Sequence, residues 1–520
     1  MRSIRLAGFV LGLVMGAVTA PRAGAEVAEP WVTTDRTVDC SSLETIVRDV
    51  IKPEMTDEQK ALALYHFFRQ RVFHYKNLPE SRIPLKTLNV MGNTLCGSQG
   101  TCMKGLLEAA GLKARVVCHT DGSHTFYEAF YDGAWHGFDT MSNFYVYTRG
   151  DKPHIASFEE LQKDPSLVKD AVAEKRAAPG LCHCGDDPMA FAGGFKVLAY
   201  EPAKSAWNVK AYGLRKGEEI VRSWWPEGKP LPGSFSGKQA GPMHTCGGKD
   251  RDAEPFLFKF WEPYLIKNWS GVSNSFRHYA NGRINYSPQL ELGDHADGMI
   301  SARGIQHGAA GLSGEGEWIF PVKCSFYITG GALAFEATCV DEGDAVEAFV
   351  SVDNGKVWAP VLAGKDAGKK EYKGVFDKDV AKATTGRHDY QVKLALKGKA
   401  VLHKILLQTI FSHNAMAAPH LMPGKNKVTL TAAASADPKA APLTVIYRYK
   451  EAPKWDGEVK IIEQTAVALP FVFEADLPES EKLPQMQDLT IRCGKLAWTP
   501  EPAPSIQTAA AKPPAAPAAK

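Results

Sequence analysis

The chain has almost no net charge: 61 Lys and Arg against 58 Asp and Glu leave +3 over 520 residues. The basic residues are spread along the sequence rather than clustered, so there is no electrostatic footprint for nucleic acid and no nucleic-acid partner is expected. Long apolar runs are missing after the N-terminus, so no later helix is expected to cross a bilayer. No internal repeat recurs. From about Gly282 onward helical periodicity is missing. The acids there, such as Asp294, Asp297 and Glu336, include no pair whose spacing stands out, so a carbohydrate-active site built on two carboxylates has little support.

At the N-terminus, Arg2 and Arg5 precede an apolar run from Leu6 to Ala20, and Ala23-Gly24-Ala25 offers a small-residue cleavage site before Glu26. This describes a secretory signal peptide over residues 1–25. The run is short for a membrane span and is broken by Gly8, Gly12 and Gly16. No cysteine follows the cleavage site, so a lipid anchor is not indicated. The expectation is a secreted or periplasmic protein with no membrane anchor after cleavage. Ten cysteines in such a protein suggest disulfides, with Cys324 and Cys339, on expected strands 319–328 and 333–340, as a cross-strand pair. Cys182-His183-Cys184 and His244-Thr245-Cys246 contain residue types that zinc uses. Closely spaced cysteines of exported proteins belong more often to disulfides or loops, so no metal site is assigned.

One constellation carries chemistry. After Thr94-Leu95-Cys96-Gly97, the residues Met103, Leu106, Leu107 and Ala110 recur at helical spacing, and Gly111 closes the segment. Cys96 therefore starts a helix, where the dipole and unpaired N–H groups favour a thiolate and could later hold an oxyanion. Ala114 to Cys118 reads as a buried strand. His124–Tyr131 and Ala134–Asp139 then flank Asp132-Gly133, a two-residue hairpin signal. That turn pairs Tyr131 with Ala134, Phe130 with Trp135 and Ala129 with His136. Strand alternation then places His124 and Asp139 on one face as diagonal neighbours and His136 on the other. Cys96, His124 and Asp139 thus supply a nucleophile, a base and the partner that orients the base.

The run from Cys96-Gly97 through Leu106-Leu107 to Gly111-Leu112-Lys113-Ala114-Arg115, followed by His124 and Trp135-His136-Gly137-Phe138-Asp139, resembles the core motif of the transglutaminase-like superfamily. Lys113 replaces the usual proline of the family's turn. The preceding segment, an expected helix from Thr56 to Val72 and then Phe73-His74-Tyr75, is similar to the family's upstream region. The resemblance spans roughly residues 45–150. It implies acyl transfer at an amide of a protein or peptide, by a peptidase, amidase or transglutaminase that needs no metal or organic cofactor.

Further along, Ser157–Lys175 is expected to be helical, and Ser223-Trp224-Trp225 to be buried at an interface rather than exposed for stacking on sugars. Short alternating strands dominate from residue 282. Ser351-Val352-Asp353-Asn354-Gly355-Lys356-Val357-Trp358 is similar to a hairpin turn found in sialidase-type propellers and carbohydrate-associated sandwiches; it occurs once, which does not make a propeller. The fold class expected is an α+β papain-like/transglutaminase-like cysteine domain followed by all-β sandwich modules. Its divisions are a transglutaminase-like domain at 26–200, a connector at 201–281, a β-sandwich at 282–424, a small β unit at 425–500 and a disordered Pro/Ala tail at 501–520. Glycan or cell-wall contact through the sandwich is the secondary partner expectation. The rival reading is a catalytically inactive transglutaminase-like fold in a cell-surface or polysaccharide-binding protein.

Overall fold

The structure, a computed structural model, describes residues 27–500 apart from 75–76, 179–192, 228, 230–264, 270–271, 277–279, 435–436 and 453–454. The expected signal peptide, Tyr75, the two Cys/His segments and the Pro/Ala tail lie outside the described residues.

The first part of the chain forms helices against a small sheet. Helix α1 (Leu43–Val50) starts at Ser42 and α2 (Asp57–Arg69) at Thr56, each through a reciprocal capping box, with Thr45 and Gln59 respectively. The α2 segment ends at Arg69, short of the expected Val72. Helix α3 (Cys96–Ala109) is followed by Gly111 at φ +83°, a left-handed stop that a side chain would strain. Strands β1 (Lys113–His119), β2 (Thr125–Tyr131), β3 (Ala134–Phe138) and β4 (Phe195–Leu198) form an antiparallel sheet in the order β3-β2-β1-β4. Asp132 and Gly133 both have positive φ, as a two-residue turn of matching twist requires. The pairs Tyr131/Ala134, Phe130/Trp135 and Ala129/His136 form as expected.

Leu64, Tyr65 and Phe68 of α2 bury against Met103, Leu106 and Leu107 of α3 and against Tyr127 and Phe138 of the sheet. Each such side chain contributes about 1.5–3 kcal/mol on burial. Glycines let α3 lie close to the strands: a Cβ at Gly100 would stand 3.1 Å from the Phe126 carbonyl oxygen.

The expected helix from Ser157 to Lys175 is only six residues long, α4 (Phe158–Lys163). Pro165 lacks the N–H that a helix needs, Asp164 caps a separate short turn at Pro165–Leu167, and Asp170 and Lys175 take positive φ.

The remainder is mostly β. One ten-stranded sheet contains Glu218–Ser223, Ala280–Tyr286, Tyr327–Cys339, Val401–His413, Leu443–Lys450 and Gln485–Cys493 among its strands. It therefore draws on the expected connector, the expected sandwich and the expected small β unit alike. A five-stranded sheet, including Gly316–Lys323, Ala345–Ser351 and Asp389–Lys397, shares its core: Tyr286 of the larger sheet meets Phe320 of the smaller with ring centroids 5.2 Å apart. A short α-helix, Lys378–Thr384, interrupts this region, where no helix was expected. Asp377 caps it by accepting from the Asp379 and Val380 N–H groups.

The expected Cys324–Cys339 disulfide does not form, and both thiols are free and buried. Cys324 follows a strand of the five-stranded sheet, whereas Cys339 ends a strand of the ten-stranded one, so the two strands are not neighbours. Trp224 and Trp225 are buried as expected, with the Trp225 indole N–H donating to the Met486 carbonyl at 3.1 Å. The 351–358 segment is a tight turn in which the Asp353 carboxylate accepts from the Lys356 and Val357 N–H groups.

The helical and β parts meet through buried polar links. The Asn414 carboxamide donates to the Arg71 carbonyl at 2.9 Å and the Leu88 carbonyl at 2.6 Å, and its backbone N–H donates to the Asn89 carbonyl. Buried Lys86 bonds the Glu80 carboxylate, which also accepts from the Tyr327 hydroxyl.

Candidate active site

Leu95, the residue before α3, has extended geometry and no side-chain oxygen to cap the helix. Leu95 therefore supplies no side-chain acceptor to the first-turn N–H groups, which suits them to a developing negative oxygen. Cys96 is in no disulfide and is half-exposed. Its surroundings are held by Asn77, whose carboxamide oxygen accepts from the Leu95 N–H at 3.2 Å, the Thr94 hydroxyl at 2.9 Å and the Ser98 hydroxyl at 3.0 Å.

His124 immediately precedes β2, and Asp139 immediately follows β3. The His124 Nε2 and the Asp139 Oδ2 lie 2.8 Å apart. Burial alone would raise the Asp139 carboxyl, but the positive charge and hydrogen bond of His124 hold it below its ordinary value. The N–H groups of Ser142 and Met141 act in the same direction. Burial disfavours the charged imidazole of His124, yet the Asp139 charge and hydrogen bond, with a hydrogen bond to Cys96, push it up to about 10. Because Nε2 is engaged by Asp139, Nδ1 is the nitrogen left for the thiol. Asp139 and Cys96 both act on His124, so the three side chains expected from the sequence are brought together.

His136 is on the other side of the sheet, buried against Tyr131 at 3.7 Å between centroids, with Nδ1 2.6 Å from the Ile155 carbonyl oxygen. His119 is a nearer neighbour that the sequence did not single out. It stacks on Phe195 at 4.8 Å, and burial together with the charge of His124 lowers its pKa.

Other contributors also lack a sequence signal. Gln99 is buried one turn into α3, donating to the Thr94 carbonyl at 3.2 Å and accepting from the Thr140 hydroxyl at 2.8 Å. It ties the start of α3 to the loop that carries Asp139. Asn77 sits in a non-periodic segment 19 positions before Cys96, where no short motif marks it. Among the described residues, no group of three or more His, Cys, Asp or Glu side chains is placed to hold a metal.

A thiol at a helix start, an imidazole and a buried carboxylate are the parts of a cysteine-nucleophile site. Comparison with known families agrees with that class: residues 44–140 match the transglutaminase-like superfamily model, and over this segment the chain is similar to that superfamily. No curated protein matches. Among solved structures, the chain is similar to the pilus backbone (RRGB) from Streptococcus pneumoniae, at 11% identity and a TM-score of 0.12. That match covers 35% of this chain and 44% of the pilus protein, under half of its length.

Proposed function

We propose that the chain is an exported, cysteine-dependent acyl-transfer enzyme acting on amide bonds of proteins or peptides. In this reading a papain-like/transglutaminase-like domain is carried on β-sandwich modules. The observation that carries it is the His124 imidazole, bonded to Asp139 at 2.8 Å and hydrogen-bonded to Cys96.

In the mechanism, His124 Nδ1 takes the Cys96 proton and the sulfur attacks the amide carbonyl carbon. Asp139 holds the imidazole and stabilises its charged form. First-turn N–H groups of α3 bind the tetrahedral oxyanion. As the C–N bond breaks, His124 returns the proton to the leaving amine, and a thioester remains on Cys96. Attack by water releases an acid and regenerates the thiol; attack by an amine forms a new amide. Hydrolysis is the branch proposed, by analogy with exported relatives of this fold rather than from these residues.

The test is the pH dependence of Cys96 alkylation by iodoacetamide in the folded protein, followed by an amide-substrate screen. Rapid labelling with a midpoint well below the free-thiol value of about 8.5, weakened by His124→Ala or Asp139→Ala, is the expected result. A thiol that labels only on unfolding would leave a binding protein on an inactive fold.

A further inference from the structure

The space beside Gly97, the residue that follows Cys96 in the chain, is bounded by a side chain from outside the core motif. A Cβ placed on Gly97 would meet the Tyr200 ring at 3.4 Å and the Thr125 hydroxyl at 3.8 Å. Over the same Tyr200 ring lies the guanidinium of Arg82, 4.0 Å from the centroid. The two contacts together place that cation within one Debye length of Gly97, about 10 Å at 0.1 M salt. The Arg82 backbone is fixed by the Ala203 N–H, which donates to its carbonyl at 2.9 Å.

The neighbouring charges are already matched. Glu80 is bound by Lys86 and Tyr327, and Glu201 by Lys104, which also takes Glu108. Arg82 is exposed and has no carboxylate partner among the described residues. A guanidinium stacked on an aromatic ring keeps its planar fork free and loses little freedom when a carboxylate binds in its plane.

We propose that Arg82, seated on Tyr200 beside Gly97, is a subsite for a carboxylate on the acyl substrate, so that the enzyme selects peptides with an acidic group flanking the scissile amide. The inference rests on the acyl-transfer reading of Cys96 and names the substrate class of that site. Both Arg82 and Tyr200 lie outside the nucleophile, base and orienting carboxylate, so the subsite can be removed without touching the chemistry.

The experiment compares second-order alkylation of Cys96 by iodoacetate, which carries a carboxylate, and by neutral iodoacetamide, using the full chain. Arg82→Gln is expected to lower the iodoacetate rate about fivefold, the scale of one exposed charge contact, while the iodoacetamide rate stays unchanged. Arg82→Lys restores part of the difference, and about 0.5 M salt reduces it in the unsubstituted protein. A rate ratio indifferent to Arg82→Gln, or a parallel fall with both reagents, overturns the subsite and leaves the acyl-transfer reading standing. Failure of both reagents to label Cys96 in the folded protein overturns the acyl-transfer reading and the subsite with it.

Discussion

The His124–Asp139 pair concentrates the electrostatics of the site in a region where one carboxylate is almost wholly buried. Removing that carboxylate leaves a partly buried imidazole without its counter-charge, and Asp139→Ala is expected to cost about 3 kcal/mol in urea unfolding near pH 6. The pH window follows from the two shifts. Asp139 lies below its ordinary 3.8, so its contribution is complete above 3.8 and is lost as pH falls through the lowered native value. His124 is raised from 6.5 to about 10, so its contribution is complete below 6.5 and is lost as pH rises from there through about 10. The stability difference between the unsubstituted protein and Asp139→Asn should therefore be largest between 3.8 and 6.5 and shrink toward pH 10. A difference constant across that range would contradict the assigned ion pair. Asn77→Ala removes one acceptor shared by three donors at the start of α3. It is expected to lower stability by about 1–2 kcal/mol and to slow Cys96 alkylation, read by thermal unfolding and labelling kinetics.

The element that matters most for alignment is α3, because it must bring Cys96 to a histidine that immediately precedes a strand of the adjacent sheet. Its approach depends on Gly100, where even a methyl group would press on the Phe126 carbonyl at 3.1 Å, two residues along the chain from His124. Gly100→Ala should cost about 1–3 kcal/mol as overpacking. Labelling of Cys96 should slow more than the stability loss alone explains; unchanged alkylation kinetics would show that the helix can shift without consequence. At this scale the hairpin was legible from sequence because Asp132-Gly133 admits a single short turn, and the turn sets every pair up to Tyr127/Phe138. The stretch after Ser157 was not. Its charged composition suited a helix, but Pro165 and the Asp164 cap divide it after six helical residues.

For the whole molecule, the helical part is seated on the β part rather than tethered beside it. Asn414 supplies two donors to carbonyls of the segment before α3, and the strand Trp31–Thr34, ahead of α1, pairs with Gly424–Thr431. Asn414→Ala would leave two buried carbonyls unpaired, at a cost of about 2–3 kcal/mol. Helical circular dichroism and tryptophan emission should then shift together to lower denaturant; separate transitions would show that the parts unfold independently.

Local chemistry was enough to select Cys96, His124 and Asp139 from the sequence, because helix start, hairpin register and strand alternation are all encoded within residues 94–139. The contacts of Asn77, Gln99, Arg82 and Tyr200 near the start of α3, and the shared sheet that runs from Glu218 to Cys493, were decided only in three dimensions. These depend on segments far apart in the chain packing into one core, and nothing in the spacing of a single segment records which distant side chain will meet it.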